Sequence, residues 1–502
     1  MNKGKYNVLP LFTLGIMLLT GCSTIVNAHR QKQDLMHNYI AGARDQALEE
    51  LEYKLRPSTA LNSSRADTGD EVMWRLEAGS LNLVEGHDDR SIRHFSRAEE
   101  LIENFDERAL LNLREAGAET SVLLTNPNAL PYRGWCRDRI MIPVYKAFAY
   151  LGKKDEQGFQ VELYRIRSNQ DKVMDSYRKY FEAEDEAMTR EKAKNRNAAA
   201  SVNPNTVLQD SRNRGLNDLL NQTTAAAHRG YADFLNPFAI FLSGYGYIRS
   251  GDYQNAAVDF ERLYKALPGN PLARQYYAFC LRKLGRNVPA ELQNIPVPDY
   301  SPERGHVLVV FANGRSAALR QVSLYIPIFF PGYATLAAVA WPVCRFYPLP
   351  FRTLQVNAGS RVFQTVTIAD MNGIMAAEYN RRLPGMIVRI CLSTAVKEFG
   401  SYVATRAAAS GNQWAGLATA VGTSAYKAMF NTADTRTWEI LPQEFQIIQF
   451  AMPKDRKIRL GLPSGHPADI QIPEHAGSAV VLVHAPSPYP AAFTCRVFPL
   501  KH

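Results

Sequence analysis

The sequence predicts an α+β chain, with a helical-repeat region at the N-terminal side and a β-rich C-terminal region carrying an inserted helical pair. Three observations predict it. Between Phe238 and Gly285 small and apolar residues recur at spacings of three and four, which keeps them on one helical face. Beyond residue 304 the period changes to alternation, as in RVFQTVTIA at 361–369. Prolines 289, 296, 298 and 302 mark a linker over 286–303 between the two. At 502 residues, 46% apolar and 21% charged, the chain reads as globular and has room for two or three domains.

Gly244, Tyr247, Gly251, Tyr253, Ala256, Phe260 and Pro268 follow one another at spacings of 3, 4, 2, 3, 4 and 8. Gly251-Asp252 marks a turn between two helices, and Pro268-Gly269 ends the second. Gly244 and Ala256 let the helices approach, while Tyr247 and Phe260 fill the space around them. Ala278, Leu281, Leu284 and Gly285 lie 34 residues after Gly244, Tyr247, Ser250 and Gly251. The pattern resembles a tetratricopeptide (TPR) unit, a helix–turn–helix of about 34 residues; an ordinary helical hairpin is the alternative. Gly79, Gly86, Ser91, Phe95 and Ala98 repeat it, a weaker unit turns at Gly152, and Gly42, Ala47 and Leu51 suit a degenerate one.

The TPR resemblance implies a groove lined by first-helix positions. Here those are Phe238, Phe241, Tyr245 and Arg249, then Gln275, Phe279, Arg282 and Lys283 in the following helix. Aromatic rings beside Arg and Lys suit a peptide with acidic and apolar side chains. The alternative is that a neighbouring helix or the linker covers this face. Between the repeats, a charged helix over 171–196 gives way to polar, Asn-rich sequence, which predicts a mobile loop over about 190–230.

In the region 304–502, HVLVVF, Asn313-Gly314 and ALRQVSLYI read as a hairpin. EFQIIQFAM, RKIRLGL, ADIQI, AVVLVHA and FTCRVF read as further short strands, and two Ala-rich helices, Pro384–Ala408 and Gln413–Phe430, form an insertion over about 384–430. Gln321–Cys344 carries no charge and is long enough to cross a bilayer. Pro327, Pro331, Gly332 and Pro342 interrupt it, so a strand pair or docking surface is the preferred reading.

Lys3, Lys5 and the apolar run VLPLFTLGIMLLT form a secretory signal over 1–21. Its end, Leu19-Thr20-Gly21-Cys22, resembles the bacterial lipobox, which implies that Cys22 is acylated and heads a lipid-anchored helical domain over 22–285. An ordinary signal peptide with an incidental Cys is the alternative. Ser23 stands where an inner-membrane retention signal would place Asp, which implies the periplasmic face of the outer membrane. The net charge of +10 is spread without a dense Lys/Arg tract, which gives no indication of nucleic acid. Five cysteines remain beside Cys22, none in metal spacing, so no metal or other cofactor is expected; the periplasm would permit a disulfide.

Ser424 and Lys427 fit S-x-x-K, but the S-D-N and K-T-G partners are missing, as are G-x-S-x-G and H-E-x-x-H, so no catalytic residues are assigned and the chain is not expected to be an enzyme. Arg382–Arg389, the helix holding Lys397, and Ala433–Pro442 together resemble a family of Gram-negative outer-membrane lipoproteins with N-terminal TPR-type helices, whose activity is not established. The resemblance implies an association with envelope lipoproteins that activate peptidoglycan synthases, and offers Asp434, Arg436 and Trp438 as a shared patch. Alternatively Trp438 is buried and Asp434 and Arg436 shape a turn. The expected function is a lipid-anchored scaffold for a periplasmic or envelope protein; the alternative is a peptidoglycan- or glycan-acting protein, enzyme or binder, with its site in the β-rich region.

Overall fold

The computed structural model describes residues 32–56, 69–115, 130–231, 235–296, 305–409, 432–461 and 468–500. The signal segment, Cys22, the Ser424–Lys427 pair and the second inserted helix lie outside them. The chain is mixed α and β, helices first and sheets after.

Helices α1 (Gln33–Ala41) and α2 (Arg44–Leu55) precede the hairpin of α3 (Glu71–Val84) and α4 (Asp88–Glu115). Then come α5 (Cys136–Gly152) and the long α6 (Glu156–Lys194). The two best-patterned hairpins share one contact. A Cβ on Gly79 would lie 2.7 Å from the Phe95 ring, and one on Gly244 2.7 Å from the Phe260 ring. Each glycine is therefore the slot that admits an aromatic side chain 16 residues later.

Most of 196–227 is helical, where the sequence predicted a loop. After short turns at Arg196–Ala199 and Pro204–Val207, α7 (Arg214–Ala227) buries Leu216, Leu220, Thr223 and Ala226, one stripe at spacings of 4, 3 and 3. That stripe is narrow because its partner is close: Gly230 and Gly373 bring this segment against a later helix. Asn213 takes the place of a strand residue, donating to the Tyr325 carbonyl at 2.8 Å and accepting from its N–H at 2.9 Å.

The second patterned hairpin is α8 (Pro237–Arg249) and α9 (Tyr253–Ala266), followed by α10 (Pro271–Lys283). Asn236, Asp252 and Asn270 cap their N-termini. The linker begins by folding back, with Leu292 buried and the Arg282 guanidinium donating to the carbonyls of Leu292, Gln293 and Ile295.

Eleven strands are described: β1 (His306–Asn313), β2 (Ala318–Phe330), β3 (Tyr333–Arg345), β4 (Gln355–Ala358), β5 (Arg361–Gln364), β6 (Val366–Asp370), β7 (Glu444–Ala451), β8 (Lys457–Gly461), β9 (Ala468–Gln471), β10 (Ser478–Ala485) and β11 (Thr494–Leu500). They form a five-stranded sheet in the order β11-β10-β1-β7-β6, a four-stranded sheet β5-β4-β8-β9, and the pair β2-β3. Strand β1 does not pair with β2, contrary to the hairpin expected around Asn313-Gly314. It runs parallel to β10 and antiparallel to β7. Its uninterrupted apolar run over 307–312, in a strand buried at all eight positions, belongs to a central strand covered on both faces.

One face of the five-stranded sheet, through Leu308, Val310, Leu482 and Phe498, joins the helical core. The other face, through Val307, Val309 and Val481, packs on Val356, Ile458 and Leu460 of the four-stranded sheet. The uncharged 321–344 stretch lies within the β2–β3 pair, registered from Ala318↔Arg345 to Phe330↔Tyr333. The first inserted helix is α11 (Met371–Ala409), which starts well before Pro384 and carries that proline inside it.

Candidate functional site

The aromatic residues assigned to the groove are core. Phe238 stacks on Phe445 of β7 with ring centroids 4.0 Å apart, and the Tyr245 hydroxyl lies 2.6 Å from Nε2 of His306 on β1. Phe238, Phe241 and Tyr245 are fully buried, Phe279 nearly so, and Arg282 is engaged by the linker. Arg249 contacts Glu156 at 3.3 Å. Gln275 is half-buried and Lys283 is exposed, its ammonium 5.6 Å from the Phe279 ring centroid. The groove reading is therefore corrected. The chain's own sheet occupies the face that a peptide would need at Phe238 and Tyr245.

The segment 433–442 behaves similarly at Trp438. That indole packs on Phe95 and Tyr145 and donates to Ser80 at 2.9 Å. Glu77 of α3 accepts from the Glu439 and Ile440 N–H groups at 2.8 and 3.0 Å, and itself pairs with buried Lys32. Trp438 is thus a packing residue with no surface to offer. Asp434 and Arg436 instead reach a cavity.

That cavity, about 290 Å³, opens between α6, the start of α5, the base of the β2–β3 pair and α11. Its floor is aromatic. The Trp341 indole donates to the Tyr379 hydroxyl at 3.0 Å, which donates on to the Pro342 carbonyl at 2.7 Å. Arg382 lies over Trp135 at 4.4 Å and Tyr177 at 5.4 Å, the range of cation–π attraction. Its counter-charge is Glu378, a fully buried carboxylate that also accepts the Cys136 N–H at the head of α5.

The rim is charged. Arg139 donates to Asp106 at 2.9 Å, Arg133 reaches the same carboxylate at 3.4 Å, and Arg389 reaches Glu184 at 3.4 Å. At the other end Arg436 bonds Asp434 at 2.8 Å and Asp70 at 2.9 Å. Burial opposes ionisation of Asp434, yet the charge and hydrogen bonds of Arg436 outweigh it and hold the carboxyl below its usual range. Burial, then Glu378, pushes the Cys136 thiol well up, so this cysteine is not poised as a thiolate.

Sequence reasoning brought Asp434 and Arg436 to this site and missed Arg133, Trp135, Arg139 and Tyr177. A signal existed in spacing: Val173, Tyr177, Tyr180 and Glu184 share one face of α6, and Tyr379, Arg382, Met386 and Arg389 one face of α11. Nothing in the sequence sets those faces opposite each other. Among the described residues no group of three or more His, Cys, Asp or Glu is placed to hold a metal ion, no helix is long and apolar enough to cross a membrane, and the cysteines are free thiols. No known protein family, curated protein or solved structure matches the chain.

Proposed function

We propose that this chain is a lipid-anchored envelope protein, held at the periplasmic face of the outer membrane through Cys22, that works by binding and takes its ligand in the cavity. The observation that carries the reading is the cavity itself: an aromatic floor with a few convergent charged groups is the usual make-up of a small-ligand site. The helical hairpins are TPR-type units, supported by the matching Gly79–Phe95 and Gly244–Phe260 contacts, and they serve as an internal scaffold for the sheet. Native mass spectrometry of protein released gently from outer membranes tests this. Wild type should carry a small-molecule adduct that Ser176→Trp, which fills the cavity, lacks. Identical ligand-free spectra for both would count against the cavity.

A protein partner is the second reading, favoured by the outer face of β2–β3. There Phe329 is 65% and Leu336 41% exposed on a strand pair without charge from Gln321 to Cys344. In that case crosslinking from position 329 in intact cells should capture an envelope protein.

A further inference from the structure

Resting on the lipid-anchored reading above, we propose that the outer face of the β2–β3 ribbon lies on the bilayer that holds the Cys22 lipid. The protein then meets the membrane twice, through a covalent anchor and through an apolar strand pair.

Alternation along the two strands sorts their side chains. Leu324, Ile326, Ile328 and Phe330 turn inward to the helical core. Tyr325, Pro327 and Phe329 take the other side, in register with Ala338, Leu336 and Ala334, and none of these six is buried. The Tyr325 hydroxyl is the one polar side-chain group among them. A protein interface mixes an apolar centre with a polar, hydrogen-bonding rim. This face has almost nothing to bond with, and hydrocarbon asks for nothing. The β2 edge is closed at two points, by Asn213 at Tyr325 and by the Ser201 carbonyl, which accepts the Phe329 N–H at 2.9 Å. A shallow seat at the headgroup boundary, where water still reaches the β3 edge, suits such a ribbon better than crossing.

Arginine and tyrosine stand together at both ends. At the base Arg345 lies 5.2 Å from the Tyr347 ring centroid, and at the turn Arg406 lies 5.2 Å from that of Tyr402. The Tyr402 hydroxyl donates to the Pro331 carbonyl at 3.1 Å, which ties this pair to the turn. An uncharged band between aromatic and cationic ends is how side chains are arranged at a membrane–water boundary.

The anchor also arrives at the ribbon. Lys32 donates to the Thr437 carbonyl, and four residues earlier the Ala433 N–H donates to the Gln321 side chain at 2.9 Å. Four residues span at most about 14 Å, and the ten from Cys22 to Lys32 at most about 35 Å. The lipid therefore keeps the bilayer within reach of the ribbon's base.

The test places photoreactive benzoylphenylalanine at Phe329 in the acylated mature protein. This is floated on vesicles of phosphatidylethanolamine and phosphatidylglycerol, irradiated, and its lipid adducts counted by mass spectrometry. The control carries the probe at Val362, 61% exposed on β5, beyond the five-stranded sheet from the helical core. Position 329 should give about tenfold more adduct than 362, the lower end of what burying a large apolar side chain brings. Leu336→Asp should bring the yield at 329 down to that of 362. Protein that floats but labels equally at both positions, or whose yield at 329 survives Leu336→Asp, would overturn the ribbon and leave the anchor standing. Protein that does not float removes both. A protein crosslink from 329 in intact cells, with no lipid adduct in vesicles, would give the face to a protein instead. If Leu336→Asp fails to fold, the comparison of 329 with 362 still decides.

Discussion

The hydroxyl of Tyr245, on the first helix of the second patterned hairpin, lies 2.6 Å from the imidazole of His306 on the first strand of the sheet. Seven residues earlier Phe238 stacks on Phe445 of the same sheet. These contacts decide the use of the helical layer. Its inner face is apolar because it is half of an intramolecular interface. Tyr39 repeats the arrangement near the start of the chain, with its hydroxyl 2.9 Å from Nε2 of His484 on β10.

Substitutions on this face should register as stability. Phe238→Ala removes a stacked, fully buried ring and should cost about 3–5 kcal/mol. Tyr245→Phe keeps the ring but takes a partner from buried His306, for about 1–3 kcal/mol. Urea unfolding followed by circular dichroism measures both. Midpoints within error of wild type would show that the face is open.

Acid should weaken the same interface. Burial lowers the pKa of His306 and of His484 to about 4, and of His94 likewise. In the unfolded chain these groups take up protons near pH 6.5. The fold binds fewer protons, so their contribution is complete above about 6.5 and is lost as pH falls toward 4. Buried carboxylates raised by burial, such as Glu77 and Asp259, act in the opposite sense over the lower part of that window. The histidine part is isolated by His306→Gln with His484→Gln. The fall in melting temperature between pH 6.5 and 4.5 should be shallower in that double variant than in wild type; an equal slope would remove the histidines from the account.

The two patterned hairpins should answer alike to one methyl group. Gly79→Ala and Gly244→Ala each drive a Cβ to 2.7 Å from a phenylalanine ring, and each should cost about 1–3 kcal/mol. At Gly86 and Gly251, where φ is +80° and +76° and the space is open, Ala meets only backbone strain, about 1–2 kcal/mol. Thermal unfolding of the four variants checks the equivalence. A costly change in one hairpin beside a neutral one in the other would break it.

Anchoring makes a separate prediction. Wild type should take up labelled palmitate and fractionate with the outer membrane, while Cys22→Ala should accumulate as unprocessed precursor. Soluble, unlabelled wild type would rule the anchor out.

Much of this architecture was legible in the sequence, and what was not has identifiable causes. Period and composition located the helices and strands because each buries one face or stripe. Trp438 fits the buried alternative, and Asp434 with Arg436 fits the turn-shaping pair. The groove residues were misassigned because a motif places side chains on a helix without saying what lies across from them; only the pairing of β1 with β7 and β10 supplies that. The loop expected near 190–230 failed for a related reason: four buried positions, Leu216, Leu220, Thr223 and Ala226, hold α7 once α11 lies beside it. The cavity was out of reach because Arg133, Tyr177 and Arg389 converge from segments as much as 256 residues apart.

Hydrogen exchange across a urea series tests most directly whether helices and sheet form one body whose inner face is closed. Amides of Pro237–Arg249 and of His306–Asn313 should lose protection together, in the same cooperative opening. If the strand exchanges at distinctly lower urea while the helix stays protected, the sheet is a separate unit and the groove is open to partners after all.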